Sequence, residues 1–350
     1  MATVLNEPEI MKTGGEPAAS EDIPAHRKPP SIGRQLLSNP LSVTGFIILS
    51  LFAFVALFAP VLAPPLENAR DPMKIPRDGF GTVPQPPGTV WQRNPPPLPF
   101  WYTPLTGKTQ WVHLFGMASG GWDLYYGVIW GTRSAFIAGL VITFFVVLIG
   151  VVVGTFSAFY GGKVDLVVQR ITEIFMAFPF FIAAMTAATL LQPLIGAKAG
   201  VGGAGLLTAA IAIVVFGWMG YSRLIRGDIL SVRERDYVMA ARAVGARDRN
   251  IMLKHIVPNA IFPTLVLASL DIGTYVVTFA ALSFLGLGAE VGYADWGQLI
   301  SFSRNWITTL DQYWYIVFFP SLALVLFVLA WNLVGDAVRD VMDPRSRKTR

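Results

Sequence analysis

The chain alternates long stretches that lack charged residues with shorter polar segments. No Asp, Glu, Lys or Arg occurs between Arg133 and Lys163 or between Asp311 and Asp336. Each stretch of this kind can hold the roughly 20 apolar residues that cross the hydrocarbon core of a bilayer as a helix. The pattern therefore predicts an all-α integral membrane protein. Its six predicted membrane-spanning helices cover residues 42–63, 134–160, 173–194, 203–222, 260–286 and 313–335.

The composition agrees with this pattern. Hydrophobic residues make up 53% of the 350 residues and charged residues 14%, whereas charged residues usually make up about 25% of a soluble domain. Buried helices of a large soluble protein are the alternative, but soluble cores do not usually repeat charge-free windows of this length. The first apolar run follows about forty mostly polar residues and is long enough to span, so we expect an uncleaved helix rather than a secretory signal.

Few residues are available for catalysis or metal binding. The chain has no cysteine and three histidines. These histidines, His26, His113 and His255, are far apart in sequence and form no metal-ligand spacing. We cannot assemble a nucleophile, base or metal cluster from the pattern. The sequence therefore predicts no catalytic, cofactor-binding or metal-binding residues.

Basic residues are concentrated in the loops on one side of the predicted membrane, above all between spans four and five. The short loops on the opposite side hold only Lys198 and Arg304. Because basic residues stay on the cytoplasmic side, both termini are predicted to be cytoplasmic. The net charge of +5 reflects this asymmetry and requires no nucleic-acid partner. The predicted organisation is a cytoplasmic tail at 1–41, a first span at 42–63, an extracytoplasmic loop at 64–133, a five-helix core at 134–335 and a cytoplasmic tail at 336–350.

The extracytoplasmic loop at 64–133 is rich in Pro and Trp. Its proline density disfavours a long regular helix, while its aromatic residues argue against full disorder. A loop of this length usually has a function or offers a surface to a partner. We therefore expect a small ordered cap outside the membrane.

A polar, basic segment, "DYVMAARAVGARDRNIMLKHIVPN", interrupts the apolar pattern between spans four and five. Strong helix formers dominate it, and Gly245 predicts a break, with one helix ending near residue 244 and a second over 247–255. Ala240 leaves room for close approach of another backbone, and Ile251 offers an apolar contact. The pattern alone leaves two interpretations open: a helix lying on lipid headgroups, and a docking element for a groove on a cytosolic protein.

Within this segment, "AARAVG" followed by Pro258 resembles the EAA loop (Glu-Ala-Ala) of ATP-binding-cassette importer permeases. Ala240, Ala241, Gly245 and Pro258 match, whereas Met239 stands at the Glu position. Stretches elsewhere are similar to the oligopeptide-permease C type of the oligopeptide/dipeptide branch. These stretches are "GRQLLSNPLSVTGFIIL", "WDLYYGVIWGTRSAFIAGL", "LSFLGLG", "WGQLIS" and "NLVGDAVRDVMDPR". Together they are spread over most of the chain.

The resemblance implies the type I importer permease fold and a non-catalytic membrane subunit in the plasma membrane of a prokaryote. Its partners would be a homologous permease, forming a heterodimer, two cytosolic ATPases that bind ATP and Mg, and an extracytoplasmic substrate-binding protein. The loop at 231–258 would be a coupling helix seated in a groove of an ATPase, which drives alternating access. The residues implied in coupling are Ala240, Ala241, Gly245, Ala246, Arg247, Asp248, Ile251 and Pro258.

The resemblance implies oligopeptides or dipeptides as the substrate, with oligosaccharides and, less readily, nickel as alternatives in the same branch. The sequence departs from the family pattern at Phe279, which stands where a Glu often occurs shortly before "LSFLG". Asp271 lies about two turns earlier, and an intramembrane acid is costly unless it is paired or hydrated. Asp271 and Phe279 are therefore candidates for the substrate pathway. The alternative for Asp271 is a carboxylate satisfied by neighbouring hydroxyl groups and packed against the partner permease.

Other function classes make different demands on the sequence. A secondary transporter or channel would be expected to show inverted repeats, broken helices or several intramembrane ionisable groups, and the chain shows one acid and no obvious repeat. Aromatic and methionine residues near the third span are interpreted as helix-packing residues rather than as a binding stripe. These residues are Met176, Phe178, Phe180 and Phe181.

Overall fold

The computed structural model describes residues 36, 39–67, 69, 71–79, 81–196 and 204–342, which are predominantly helical. The α-helices, in chain order, are α1 Pro40–Leu62, α2 Tyr102–Thr106, α3 Leu124–Tyr160, α4 Gly162–Met176, α5 Phe180–Gly196, α6 Ala204–Arg233, α7 Asp236–Ala243, α8 Asp248–Ile251, α9 Val257–Ala260, α10 Phe262–Phe284, α11 Trp296–Ser301, α12 Leu310–Tyr313 and α13 Tyr315–Met342. A π-helical turn covers Met252–Ile256, a 3₁₀ helix covers Arg304–Thr309, and strands β1 Met117–Ala118 and β2 Trp122–Asp123 pair antiparallel. Most of the predicted tails at 1–41 and 336–350, and the loop residue Lys198, lie outside the described residues.

Five of the described helices, α1, α3, α6, α10 and α13, are long and apolar enough to cross a membrane. Each of them overlaps one of the predicted spans. Their outer surfaces carry large apolar side chains, such as Leu51 and Leu57 of α1, which are 60% and 72% exposed. A surface of this kind suits contact with lipid rather than with water. The described chain is therefore a multi-pass helical membrane protein.

The third predicted span, 173–194, is not one continuous helix. Helices α4 and α5 form a pair that is bent by 88° at a short break. Pro179 lies in this break; proline lacks a backbone N–H group and disfavours helical geometry in the residue before it. The helix therefore ends at Met176 and restarts at Phe180. The pair counts as a sixth span only if both helices are taken together, so the prediction of one helix is wrong over 177–179.

Three spans, those of α3, α6 and α13, continue as helices beyond their predicted limits, and α13 continues to Met342. Helix α3 begins at Leu124, where Asp123 accepts a hydrogen bond of 2.8 Å from the N–H of Tyr126. Its 37 residues give it a length of roughly 55 Å, compared with about 30 Å for the hydrocarbon core of a bilayer. Helix α6 continues to Arg233. The predicted limits mark where charge-free sequence ends, whereas the helix ends depend on caps that lie further out.

Small residues bring the spans into close contact. A Cβ atom added at Gly154 of α3 would lie 2.4 Å from the backbone oxygen of Ser222 in α6, and one at Gly150 would lie 2.5 Å from Cβ of Tyr221. Helices in membranes associate through such close backbone approach, because lipid provides no hydrophobic drive between helices. The pair α3 and α6 forms the most extensive helix contact of the described chain.

A second close contact predicts a strong effect on stability. A Cβ atom at Gly297 of α11 would lie 1.9 Å from the carbonyl oxygen of Ala280 in α10. We expect Gly297→Ala to lower the free energy of unfolding by about 1–3 kcal/mol, the range for overpacked cores, and to lower the melting temperature in detergent. Gly227→Ala is the control, since nothing lies within 4 Å of its Cβ position. Equal melting temperatures for the two variants would contradict the close contact.

The described residues between 64 and 123 form a small cap at one end of the spans, built from loops, α2 and the β1–β2 hairpin. Backbone hydrogen bonds of 2.8 Å join it to the segment after α10, from the N–H of Ile75 to the carbonyl of Gly292 and from the N–H of Ala294 to the carbonyl of Met73. The cap therefore ends at Asp123, where α3 begins, rather than at residue 133.

A buried network of one histidine and two carboxylates holds the cap to the start of α3. His113 is completely buried; its Nδ1 lies 2.5 Å from an oxygen of Asp123 and its Nε2 lies 3.2 Å from an oxygen of Asp78. The ring of Trp91 stacks on the imidazole with the ring centroids 4.5 Å apart. Burial by itself lowers the pKa of His113, but the two carboxylates more than offset it, so the pKa is raised above its usual value of 6.5. His113 thus joins the cap, through Asp78, to Asp123, the residue that caps α3.

Candidate functional site

The polar segment between α6 and α10 forms two short helices joined by a turn. Helix α7 ends at Ala243, α8 begins at Asp248, and residues 244–247 connect them. Gly245 in this turn has a φ of 78°, a left-handed conformation that glycine adopts readily and that β-branched residues avoid. The chain then passes through the π-helical turn and α9 into α10. We call residues 236–258, from α7 through the π-helical turn to the start of α9, the helix–turn–helix segment.

One side of this segment is buried against the ends of two spans. Val238, Ile251 and Ile256 are at most 1% exposed, and they share a core cluster with Ile225 of α6 and Ala158 of α3. The sequence suggests Ile251 as a contact for a partner, but its side chain is covered by the chain's own helices. Ile251 therefore anchors the segment and is not available at the surface.

The opposite side of the segment is exposed. The small residues Ala240, Gly245 and Ala246 keep the turn narrow, and Arg247 and Asp248 place charges of both signs beside it. A narrow tip with both charges suits a groove on another protein better than it suits anionic lipid. The predicted site residues on the exposed side are Ala240, Gly245, Ala246, Arg247, Asp248 and Pro258, whereas Ala241 is half-buried.

Sequence reasoning missed the apolar residues on this exposed side. Val244 is 83% exposed, Leu253 is 55% exposed and Met239 is 51% exposed. The signal for Val244 was its position directly before Gly245, because a residue in a turn between two short helices cannot reach the chain's own core. An exposed apolar side chain favours docking when it becomes buried, by about 1.5–3 kcal/mol for a whole valine side chain. Val244 is therefore the strongest apolar candidate for contact with a partner.

An ion pair fixes the helices beneath the segment. Nε of Arg226 in α6 donates to Oδ1 of Asp165 in α4 over 2.6 Å, and Nη2 of the same guanidinium donates to the other carboxylate oxygen. Ser157 near the end of α3 also donates to this carboxylate. The pair is partly exposed, so its own contribution to stability is modest. Its geometry joins α3, α4 and α6 at the end that carries the helix–turn–helix segment.

A groove of about 440 Å³ lies beside the bend between α4 and α5. Asp271 of α10 lines it, and the carboxylate of Asp271 accepts a hydrogen bond of 2.7 Å from the hydroxyl of Tyr221 in α6. The groove combines this single carboxylate with aromatic, methionine and glycine residues. They include Phe175, Met176, Phe178, Phe180, Gly217 and Gly220.

This geometry changes two interpretations of the sequence. Met176, Phe178 and Phe180, which the sequence suggests as helix-packing residues, line the groove in this chain. Phe279, a candidate for the pathway, is 2% exposed and packs in a core cluster with residues of α3, α5 and α6. The physical reason is its position on the side of α10 that faces those helices. Of the two pathway candidates, Asp271 therefore lies at the groove and Phe279 does not.

Two family models match the chain. Residues 147–348 match the model described as "binding-protein-dependent transport system inner membrane component". Residues 31–87 match the model described as the N-terminal transmembrane domain of oligopeptide transport permease C. The first match covers more than half of the chain and includes both the helix–turn–helix segment and the groove.

Curated relatives are similar over most of the chain. The chain is 30% identical to the dipeptide transport system permease protein of Alkalihalophilus pseudofirmus, over 90% of this chain and 89% of that protein. It is 33% identical to the probable D,D-dipeptide transport system permease protein of Escherichia coli K12, over 89% of this chain and 90% of that protein. It is 30% identical to the oligopeptide transport system permease protein of Bacillus subtilis, over 89% of this chain and 88% of that protein.

The fold is similar to a chain of the MetNI methionine ABC transporter solved in an inward-facing conformation. The TM-score is 0.51 at 21% sequence identity, over 63% of this chain and 98% of that chain. At this identity the similarity concerns the arrangement of helices and carries nothing about the transported molecule.

Proposed function

Because this chain belongs to the family of binding-protein-dependent transport system inner membrane components, we propose that it is the permease of an importer for dipeptides or oligopeptides. The chain has the type I importer permease fold and is a non-catalytic membrane subunit. The observation that carries the peptide assignment is the set of relatives that are 30% and 33% identical over at least 89% of this chain and are named as peptide permeases.

The helix–turn–helix segment is the part that docks on a cytosolic ATPase. Its exposed tip supports this role, because Val244 and Gly245 protrude while Ile251 holds the segment to the ends of α3 and α6. When the ATPases close on ATP, a push on the tip is carried through the buried anchor into two membrane helices. Nucleotide and Mg are bound by the ATPases and not by this chain.

The remaining partners follow from the two ends of the molecule. The end with the helix–turn–helix segment faces the cytosol, as do both termini. The concentration of basic residues at this end supports that orientation. The cap at 64–123 faces outward and receives the substrate-binding protein. A homologous permease completes the pathway by forming a heterodimer with this chain in the plasma membrane of a prokaryote.

The groove beside the α4–α5 bend is the segment of the substrate pathway that this chain supplies, with Asp271 as its polar group. Phe279 supports this site indirectly by packing α10 against α3 and α6. Oligosaccharides and nickel are the other substrates considered for this branch, and no feature of the described residues favours them. A channel or secondary transporter is disfavoured by the family to which the chain belongs.

The test is reconstitution of the chain with its homologous permease, its ATPases and its binding protein in proteoliposomes. We expect the ATPases to co-purify with this chain and ATP to drive uptake of labelled dipeptides and tripeptides. Uptake of oligosaccharide or nickel in place of peptides would overturn the substrate assignment. Failure to recover an ATPase would overturn the assignment of the docking segment.

A pair of variants at the turn tests the docking geometry. We expect Gly245→Val to lower peptide uptake and ATPase co-purification several-fold, because a β-branched residue at a φ of 78° costs about 1–2 kcal/mol. Gly245→Asn is the matched control, since asparagine tolerates the left-handed conformation and nothing lies within 4 Å of the Cβ position. Equal behaviour of the two variants would show that the turn conformation does not matter for docking.

A further inference from the structure

The groove beside the α4–α5 bend holds one carboxylate without a counter-ion. Asp271 accepts one hydrogen bond, from the hydroxyl of Tyr221. A carboxylate can accept about four. The ion pairs of the described residues involve other carboxylates, and none includes Asp271. The remaining acceptor capacity of Asp271 is therefore open to a donor that enters the groove.

The walls of the groove suit a positively charged group. Phe180 and Tyr275 lie edge to face with their ring centroids 6.4 Å apart, and Phe175 and Phe216 lie 5.8 Å apart. The faces of aromatic rings attract cations, and this attraction grows when the cation is removed from water. A carboxylate surrounded by such rings selects an ammonium group over an anion or a neutral polar group.

The shape of the groove leaves room for a small ligand. On the α6 side the lining includes Gly217 and Gly220, and nothing lies within 4 Å of the position of a Cβ atom at Gly220. The volume of about 440 Å³ falls within the range of roughly 300–1,000 Å³ typical of ligand sites. Glycine at this point adds no side chain to the groove that Asp271 also lines.

We infer that the groove is a binding subsite for the N-terminal ammonium group of a peptide in transit, with the carboxylate of Asp271 as its acceptor. This inference rests on the proposed function and adds the chemical group that the pathway recognises. Tyr221 positions the carboxylate by donating to one of its oxygens. Arg223, whose Nη1 lies 3.6 Å from the sulfur of the groove residue Met176, places a positive charge near the rim for the carboxylate end of the peptide.

The first test removes the negative charge of Asp271. In the complete transporter, Asp271→Asn is expected to reduce uptake of the best-transported labelled peptide about tenfold, the scale of one lost charge-assisted hydrogen bond. Asp271→Glu is expected to retain most of the uptake, since it keeps the carboxylate. Asparagine still accepts a hydrogen bond from Tyr221, so a purely structural role would survive that change. Uptake by Asp271→Asn at the wild-type rate would overturn the inference.

The second test reduces the space inside the groove. Gly220→Leu fills the groove from α6 and is expected to reduce peptide uptake about as much as Asp271→Asn, while the homologous permease and the ATPases still co-purify. Gly227→Leu is the matched control, because it lies two turns further along the same helix with equal free space. Loss of the homologous permease from Gly220→Leu would identify the groove as a subunit interface and would overturn the inference.

The third test identifies the recognised group. Carbodiimide activation of the complete transporter in the presence of a labelled peptide is expected to form an amide between the peptide amine and the Asp271 carboxyl group, with release of the urea. No cross-link at residue 271 is expected for the N-acetylated peptide or for Asp271→Asn. If the peptide is cross-linked only to carboxylates other than Asp271, the inference is overturned. If the wild-type transporter imports no peptide, the proposed function fails. If it imports peptide and Asp271→Asn imports it equally well, only the ammonium subsite fails.

Discussion

In the variant Val244→Asp, peptide import and ATPase co-purification are each expected to fall by at least about tenfold. Val244 is 83% exposed at the tip of the turn, where we propose that it enters a groove on the ATPase. A carboxylate there would have to give up its hydration on docking, and the apolar contact of the valine would be lost. Burial of a valine side chain contributes about 1.5–3 kcal/mol, and 1.4 kcal/mol corresponds to a factor of ten in affinity.

Val291→Asp is the control for this prediction. Val291 is 71% exposed and lies in the segment that bonds to the cap, at the other end of the molecule. The same substitution there is expected to leave ATPase co-purification at the wild-type level. If Val244→Asp retains both the ATPase and import, then the tip of the helix–turn–helix segment is not the docking surface.

Asp123→Ala is expected to lower the free energy of unfolding by about 3–5 kcal/mol, the cost of removing one partner from a buried ion pair. The substitution leaves His113 completely buried beside Asp78 alone, and it also removes the N-cap of α3. Thermal unfolding of the purified protein measures the effect. Asp311→Ala, at an exposed aspartate, is the control and should unfold at the wild-type temperature. Equal unfolding temperatures would mean that the network does not hold the cap.

The raised pKa of His113 gives the same network a pH dependence of defined sign. A group whose pKa is raised by folding stabilises the folded state fully below its unfolded-state pKa, here about 6.5. That stabilisation is lost as the pH rises through the higher folded-state pKa. The melting temperature should therefore fall as the pH rises above 6.5, and the fall should be smaller in Asp123→Ala. A pH dependence that is the same in both proteins would contradict the pairing of His113 with Asp123.

The features that the sequence predicts best are those that depend on local pattern. Charge-free windows locate α1, α3, α6 and α13, and an apolar run broken only by Asp271 locates α10, because apolar length directly stabilises a helix in a bilayer. The break in the polar segment lies at Gly245 for an equally local reason, namely that few residues other than glycine adopt a φ of 78°.

The features that the sequence could not supply depend on which side of an element faces its neighbours. Ile251 and Val244 are both apolar and lie seven positions apart, yet one is 1% exposed and the other 83% exposed. The difference arises because α8 packs on the ends of α3 and α6, whereas the turn protrudes. His113 and Asp78 are separated by 35 positions, and no local pattern indicates that a long loop brings them together.

The continuous helix α3 has a consequence for the order of events in transport. Its first turn is held by the carboxylate that binds His113, and its last turns include Ala158, which lies under the helix–turn–helix segment. A single helix of 37 residues thus joins the outer cap to the buried residues beneath the helix–turn–helix segment. Because a helix resists compression, a displacement of one end along the helix axis is transmitted to the other end. In a transporter of the proposed kind, substrate arrival at the outer cap and ATP hydrolysis on the inner side are then mechanically coupled through α3. The stiffness of this coupling determines how much ATP is hydrolysed without import.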